Sequence, residues 1–68
     1  MKSISGKSLC KILEKKGWHL KTVHGSHHVY MKTERKERIS VPVHGNKDLK
    51  LGLLKAIMKI AEIQENEL

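Results

Sequence analysis

An internal disulfide is excluded, because Cys10 is the only cysteine in the chain. A small scaffold made for an oxidising compartment usually carries several cysteines, so a reducing compartment is expected. Nothing approaches the roughly 20 consecutive apolar residues of a membrane span. The opening stretch MKSISGKSLCKILEKKGW has no uninterrupted apolar core of signal-peptide length. A cytoplasmic, soluble protein with no membrane partner is the expectation. Neither HExxH nor CxxC occurs, and no internal repeat, linker or low-complexity run is visible. A chain of 68 residues supports one domain, here residues 1–68, which buries only roughly 60% of its unfolded surface.

Acidic residues are scarce where it matters. Fourteen lysines and arginines face seven acids, and three of those acids, Glu62, Glu65 and Glu67, fall in the last seven residues. Residues 1–61 therefore hold fourteen cations and four acids, a net charge of +10. So dense a field on so small a body attracts polyanions and speeds their association. The basic residues are spread along the chain rather than gathered in one amphipathic helix, which fits a nucleic acid better than a membrane surface.

Apolar spacing supplies the elements. Ser5 is placed to cap a helix over about 5–16, with Leu9, Ile12, Leu13 and the stem of Lys16 on one face and Gly17 as its stop. Lys7, Lys11 and Lys15 share the other side. From Trp18 the period becomes two, with Trp18, Leu20 and Thr22 on one face, which predicts strands at about 18–24 and 27–32 joined by a tight turn at His24-Gly25-Ser26. TERKE reads as a polar turn before a third strand over about 38–43, with Ile39, Val41 and Val43 on one face and Ser40 and Pro42 on the other. Leu51, Leu54, Ile57, Met58 and Ala61 then make the stripe of a second helix over about 50–61. Tail residues 62–68 are left open between a helical turn and fraying. The predicted fold is α+β of order αβββα, a three-stranded antiparallel sheet with two helices on one face and the other face open to a partner.

Five histidines lie between positions 19 and 44. A metal site is one reading. Against it, His27 and His28 are adjacent, so in a strand they point to opposite faces, and no metal or cofactor is expected. His19, His24 and His28 are read as exposed strand or turn residues. His27, in GSHH, and His44, in VPVHG, each sit where a strand meets a glycine-containing loop, and neighbouring strand ends would bring the two rings to one spot. Imidazole titrates near neutral pH and suits proton abstraction. RNA carries its own nucleophile, the 2′-hydroxyl beside the scissile phosphate. An enzyme then needs a base, a proton donor and cations to steady the phosphate. Gly25 allows close backbone approach to a phosphate, and Ser26 or a turn amide can donate to it. A non-catalytic RNA-binding module remains the alternative on residues alone.

The strings SGKSLCKILEKKGW, GSHHVY and ISVPVHGNKDLKLGLLKAIMKIA, in that order, resemble the HicA family of toxins, the RNA-cleaving halves of type II toxin–antitoxin pairs. The likeness runs over roughly residues 3–63. It implies a double-stranded-RNA-binding-domain-like fold, mRNA interferase activity resting on the histidine after Gly-Ser, here His27, and a HicB-type antitoxin as partner; the role expected of His27 is general base and then acid. The toxin alone is expected to be a monomer. His44 matches a recurrent family histidine and, with Ser26, is a candidate assistant. Gly25, Lys7, Lys11, Lys21, Lys32, Arg38 and Lys47 are candidate phosphate contacts, and Tyr30 is a candidate to stack a base, with packing within its strand as the other reading. Leu51 stands where the family often has proline, which would only preset the first helical turn.

Overall fold

The computed structural model describes residues 3–68; Met1 and Lys2, inside the expected domain, lie outside the described residues. Helix α1 runs Gly6–Lys15, and the Ser5 hydroxyl accepts the Ser8 amide at 3.2 Å, satisfying one of the donors that a helix start leaves free. At the other end Gly17, at φ +94°, makes the left-handed turn that stops it. Leu9 and Leu13 are fully buried, as their spacing predicts, and Cys10 joins them.

Three strands follow, β1 (His19–His24), β2 (His27–Met31) and β3 (Arg38–Pro42), paired antiparallel in the order β1-β2-β3. Gly25 and Ser26 form a two-residue hairpin between the first two. Gly25 takes φ +59° and Ser26 keeps a negative φ, the signs of a type II′ turn, which matches the twist of the flanking strands. Register runs His24 opposite His27 and His27 opposite Pro42. One irregularity breaks the predicted alternation. A bulge between Leu20 and Thr22 inserts Lys21, so Thr22 moves off the face of Trp18 and Leu20. Leu20 itself remains 47% exposed beside buried Trp18.

The second helix, α2, spans Leu51–Ala61. Its buried face is Leu54, Ile57, Met58 and Ala61, while Leu51, predicted to head that stripe, is 45% exposed. The first turn projects beyond the edge of the core, so a residue there gains nothing from the periodicity. Residues of both helices meet Trp18, Tyr30, Ile39 and Val41 from the sheet in one apolar cluster, which leaves the opposite sheet face uncovered. The tail does not fray. Ile63 is buried, Glu65–Glu67 make a 3-10 turn, and Glu67 pairs with Lys16. Arg35, read as part of a polar turn, instead anchors that turn. Its guanidinium donates to Glu37 at 2.9 Å and to the Ile60 carbonyl at 3.0 Å, and stands 5.8 Å from the centre of the Trp18 ring. Before α1, the Ile4 carbonyl accepts the Leu49 amide at 2.8 Å, tying the segment ahead of each helix to the other. Among the described residues no helix is long and apolar enough to cross a membrane.

Candidate functional site

His27 opens β2 and is exposed, whereas its neighbour His28 turns to the core side opposite buried Val41. The alternation of the strand forces that division. On the uncovered face His27 has Pro42 directly across β3 and Ser40 one step along it. The Ser40 hydroxyl lies 3.5 Å from the His27 Nδ1, a loose contact. Ser40 was not foreseen as a site residue. Its outward position in ISVPV was legible, but its pairing with His27 depends on the register between strands.

The ends of β2 and β3 are neighbours, as the sequence suggests. The Val43 amide donates to the Ser26 carbonyl at 2.7 Å, and the His44 Nε2 is 3.4 Å from the Ser26 hydroxyl. His44 thus engages Ser26 on the turn, while His27 engages Ser40. Among the described residues no hydrogen bond joins the two rings. Nor do any three His, Cys, Asp or Glu side chains gather as a metal-binding set there.

Beside His44 lies a cleft of about 260 Å³, lined by the apolar Pro42, Leu49 and Leu53 and the charged Lys47, Asp48 and Lys50. Pro42 is also the partner of His27 across the strands, although His27 does not itself line the cleft. Leu53, at 37% exposed, owes its position to the first turn of α2, outside the buried stripe. Lys50, another residue not singled out from the sequence, precedes that helix without capping it through its side chain.

The other predicted contacts separate into groups. Gly25, Ser26, His27, His44 and Lys47 cluster at the hairpin end of the sheet. Lys32 and Arg38 lie toward the opposite end, roughly 13–17 Å along their strands at about 3.3 Å per residue. Lys7 and Lys11 are on the solvent side of α1, in the helical layer, and Lys21 occupies the bulge. Tyr30 corrects its expected role. Its ring is buried, 2% exposed, and its hydroxyl donates to the Glu14 carboxylate at 3.0 Å, so it has no face to offer a base. Burial, then the contact with Cys10 and the nearby Glu14, push the Tyr30 phenol far above its ordinary range. Burial likewise raises the Cys10 thiol, which keeps it protonated and unreactive.

A profile of the family described as "HicA toxin of bacterial toxin-antitoxin" matches residues 6–63. No curated protein matches the chain. Among solved structures the chain is similar to one from the "HicA3 and HicB3 toxin-antitoxin complex", with 36% identity, a TM-score of 0.67, and coverage of 87% of this chain and 94% of that one.

Proposed function

The chain belongs to the HicA toxin family, and from that premise we propose that it is an endoribonuclease that cleaves mRNA by removing a ribose 2′-hydroxyl proton with His27, without a metal. One observation carries this: His27 is exposed on the uncovered sheet face, with its Nδ1 3.5 Å from the Ser40 hydroxyl. A base must reach its proton directly, and no other element stands between this ring and a strand lying across the sheet.

The 2′-oxygen attacks the adjacent phosphorus as His27 takes its proton, and the added phosphate charge needs cationic neighbours. Lys47 and Lys50 supply ammonium groups at the cleft, outnumbering the Asp48 carboxylate there, and its Pro42, Leu49 and Leu53 lining suits the apolar face of a nucleoside. Gly25 has no side chain and nothing near the place a Cβ would occupy, so a phosphate can approach the turn backbone and the Ser26 hydroxyl. His44, through Ser26, holds that turn. Arg38, farther along the same face, contacts a more distant phosphate of an extended strand.

A HicB-type antitoxin is the partner, and covering the uncovered face would silence the toxin by burying His27. Controlled induction in growing bacteria tests the function. Wild-type protein arrests growth and fragments mRNA, His27→Ala does neither, and co-expression of a HicB-type antitoxin restores growth. Arrest with intact mRNA would leave a non-catalytic RNA-binding module as the reading.

A further inference from the structure

The cleavage step proposed above needs two proton movements at once. As the 2′-oxygen closes on phosphorus, the bond from phosphorus to the 5′-oxygen breaks, and that oxygen leaves well only if it gains a proton. One imidazole taking a proton from the nucleophile cannot deliver one to the leaving group in the same event. We propose that His24 is the general acid: its imidazolium protonates the departing 5′-oxygen while His27 deprotonates the 2′-hydroxyl.

The placement comes from the hairpin. His24 and His27 are direct partners in the β1–β2 register and close the two-residue turn at Gly25-Ser26. Directly opposed residues of an antiparallel pair project from the same face, with Cβ atoms roughly 4.5–5.5 Å apart. Both residues are exposed. An in-line displacement has its entering and leaving oxygens on opposite sides of phosphorus, and two rings side by side on one face can flank such a group. The turn between them places Ser26 and an unobstructed Gly25 against the phosphate itself. His28 cannot serve, because it turns to the core side, and His44 has its Nε2 against Ser26. The sequences of the three strands contain no aspartate or glutamate. His19 and Arg38 share the uncovered face at its far end, and His44 and Lys47 stand beyond the turn. Asp48 lies in the same loop as Lys47, at the cleft and outside the strands, so among the strand residues at this end of the sheet imidazole is the proton donor on offer.

Protons balance across the step. His27 ends as imidazolium and His24 as free base, the RNA is left with a 2′,3′-cyclic phosphate and a 5′-hydroxyl, and exchange with water resets both rings.

The inference rests on the ribonuclease reading, and the test separates the two. A short RNA is compared with the same RNA carrying sulfur in place of the bridging 5′-oxygen at the cleaved position, because a thiolate leaves without needing a proton. His24→Ala and His24→Gln are expected to cut the oxygen substrate about 100-fold more slowly and the sulfur substrate within a few-fold of wild type. His27→Ala fails on both. Rescue by sulfur in His44→Ala instead, or His24 variants that cut both substrates at wild-type rates or are slowed equally on both, overturns the assignment while His27 stands as base. Wild-type protein that cuts neither substrate removes both readings. Circular dichroism confirms that each variant is folded.

Discussion

Replacing Gly6 by alanine should destabilise the protein, although alanine is the better helix former. Gly6 opens α1 and is packed onto the end of β3. A Cβ there would overlap the Pro42 carbonyl oxygen, with the Pro42 carbonyl carbon 3.1 Å away and Val41 Cγ1 at 3.4 Å. Those first two atoms are backbone, so relief requires moving the helix from the sheet rather than turning a side chain. Overpacking of this kind costs about 1–3 kcal/mol and sometimes more, while the gain in helix propensity is at most about 1 kcal/mol. A net loss of about 1 kcal/mol is an appreciable part of the roughly 3–10 kcal/mol available to a chain of this size. It corresponds to a fall in Tm of about 4–8 °C. Gly52, near the start of α2, is the internal control, because nothing lies within 4 Å of its Cβ position. Gly52→Ala should stabilise by about 0.4–1 kcal/mol. Thermal and urea unfolding followed by circular dichroism read both changes. Shifts of the same sign in the two variants would refute the packing argument.

Other expectations are open to direct measurement. Tyr30 is the only tyrosine, and its phenol is held well above the ordinary value of about 10. The neutral form is therefore favoured by folding, stability is complete below the unfolded pKa, and it declines as pH rises past about 10. Absorbance near 295 nm should show tyrosinate appearing together with loss of far-UV dichroism. Tyrosinate forming in the intact fold would contradict the buried placement. The Glu67 carboxyl is held below its usual range by Lys16 and the Gln64 amide. That contribution is present above the unfolded pKa and is lost as pH falls through the depressed folded value, so amide exchange at residues 63–68 should quicken in acid before the core does. Retained protection of the tail there would sink the assignment. Replacing Lys47 and Lys50 together by alanine should weaken RNA binding and flatten the slope of log K against log salt by about 1.4, at roughly 0.7 per lost phosphate contact on a single strand. An unchanged slope would place the RNA elsewhere.

Most of the architecture was legible because the stripes Leu9–Leu13 and Leu54–Ala61, the alternation of Ile39 and Val41, and the glycines at 17 and 25 point to the same order of elements. What escaped were features decided between elements. The bulge at Lys21 follows from pairing with β2 rather than from any property of lysine. Tyr30 was a candidate to stack a base because aromatic residues do so in single-strand recognition, yet pairing put it opposite Ile39 in the core. Arg35 was read only as part of a polar turn, and the tail with Ile63 and Glu67 was left open, because short segments carry no periodicity to read. At the site, the exposure of His27 and its separation from His28 follow from alternation alone. Its contact with Ser40, the link between His44 and Ser26, and the opposition of His24 all depend on strand register, which a single sequence specifies only weakly.

A ribose proton removed by His27 is the core of the account, and one kinetic comparison in the presence of chelator tests it most directly. Single-turnover cleavage is followed on an all-ribose RNA and on the same RNA with a lone 2′-deoxy sugar at the cut position, using wild type and His27→Ala. Cutting of the all-ribose strand by wild type alone, leaving a 2′,3′-cyclic phosphate, is the predicted result. Equal cutting of the deoxy strand, or undiminished cutting by His27→Ala, would contradict it.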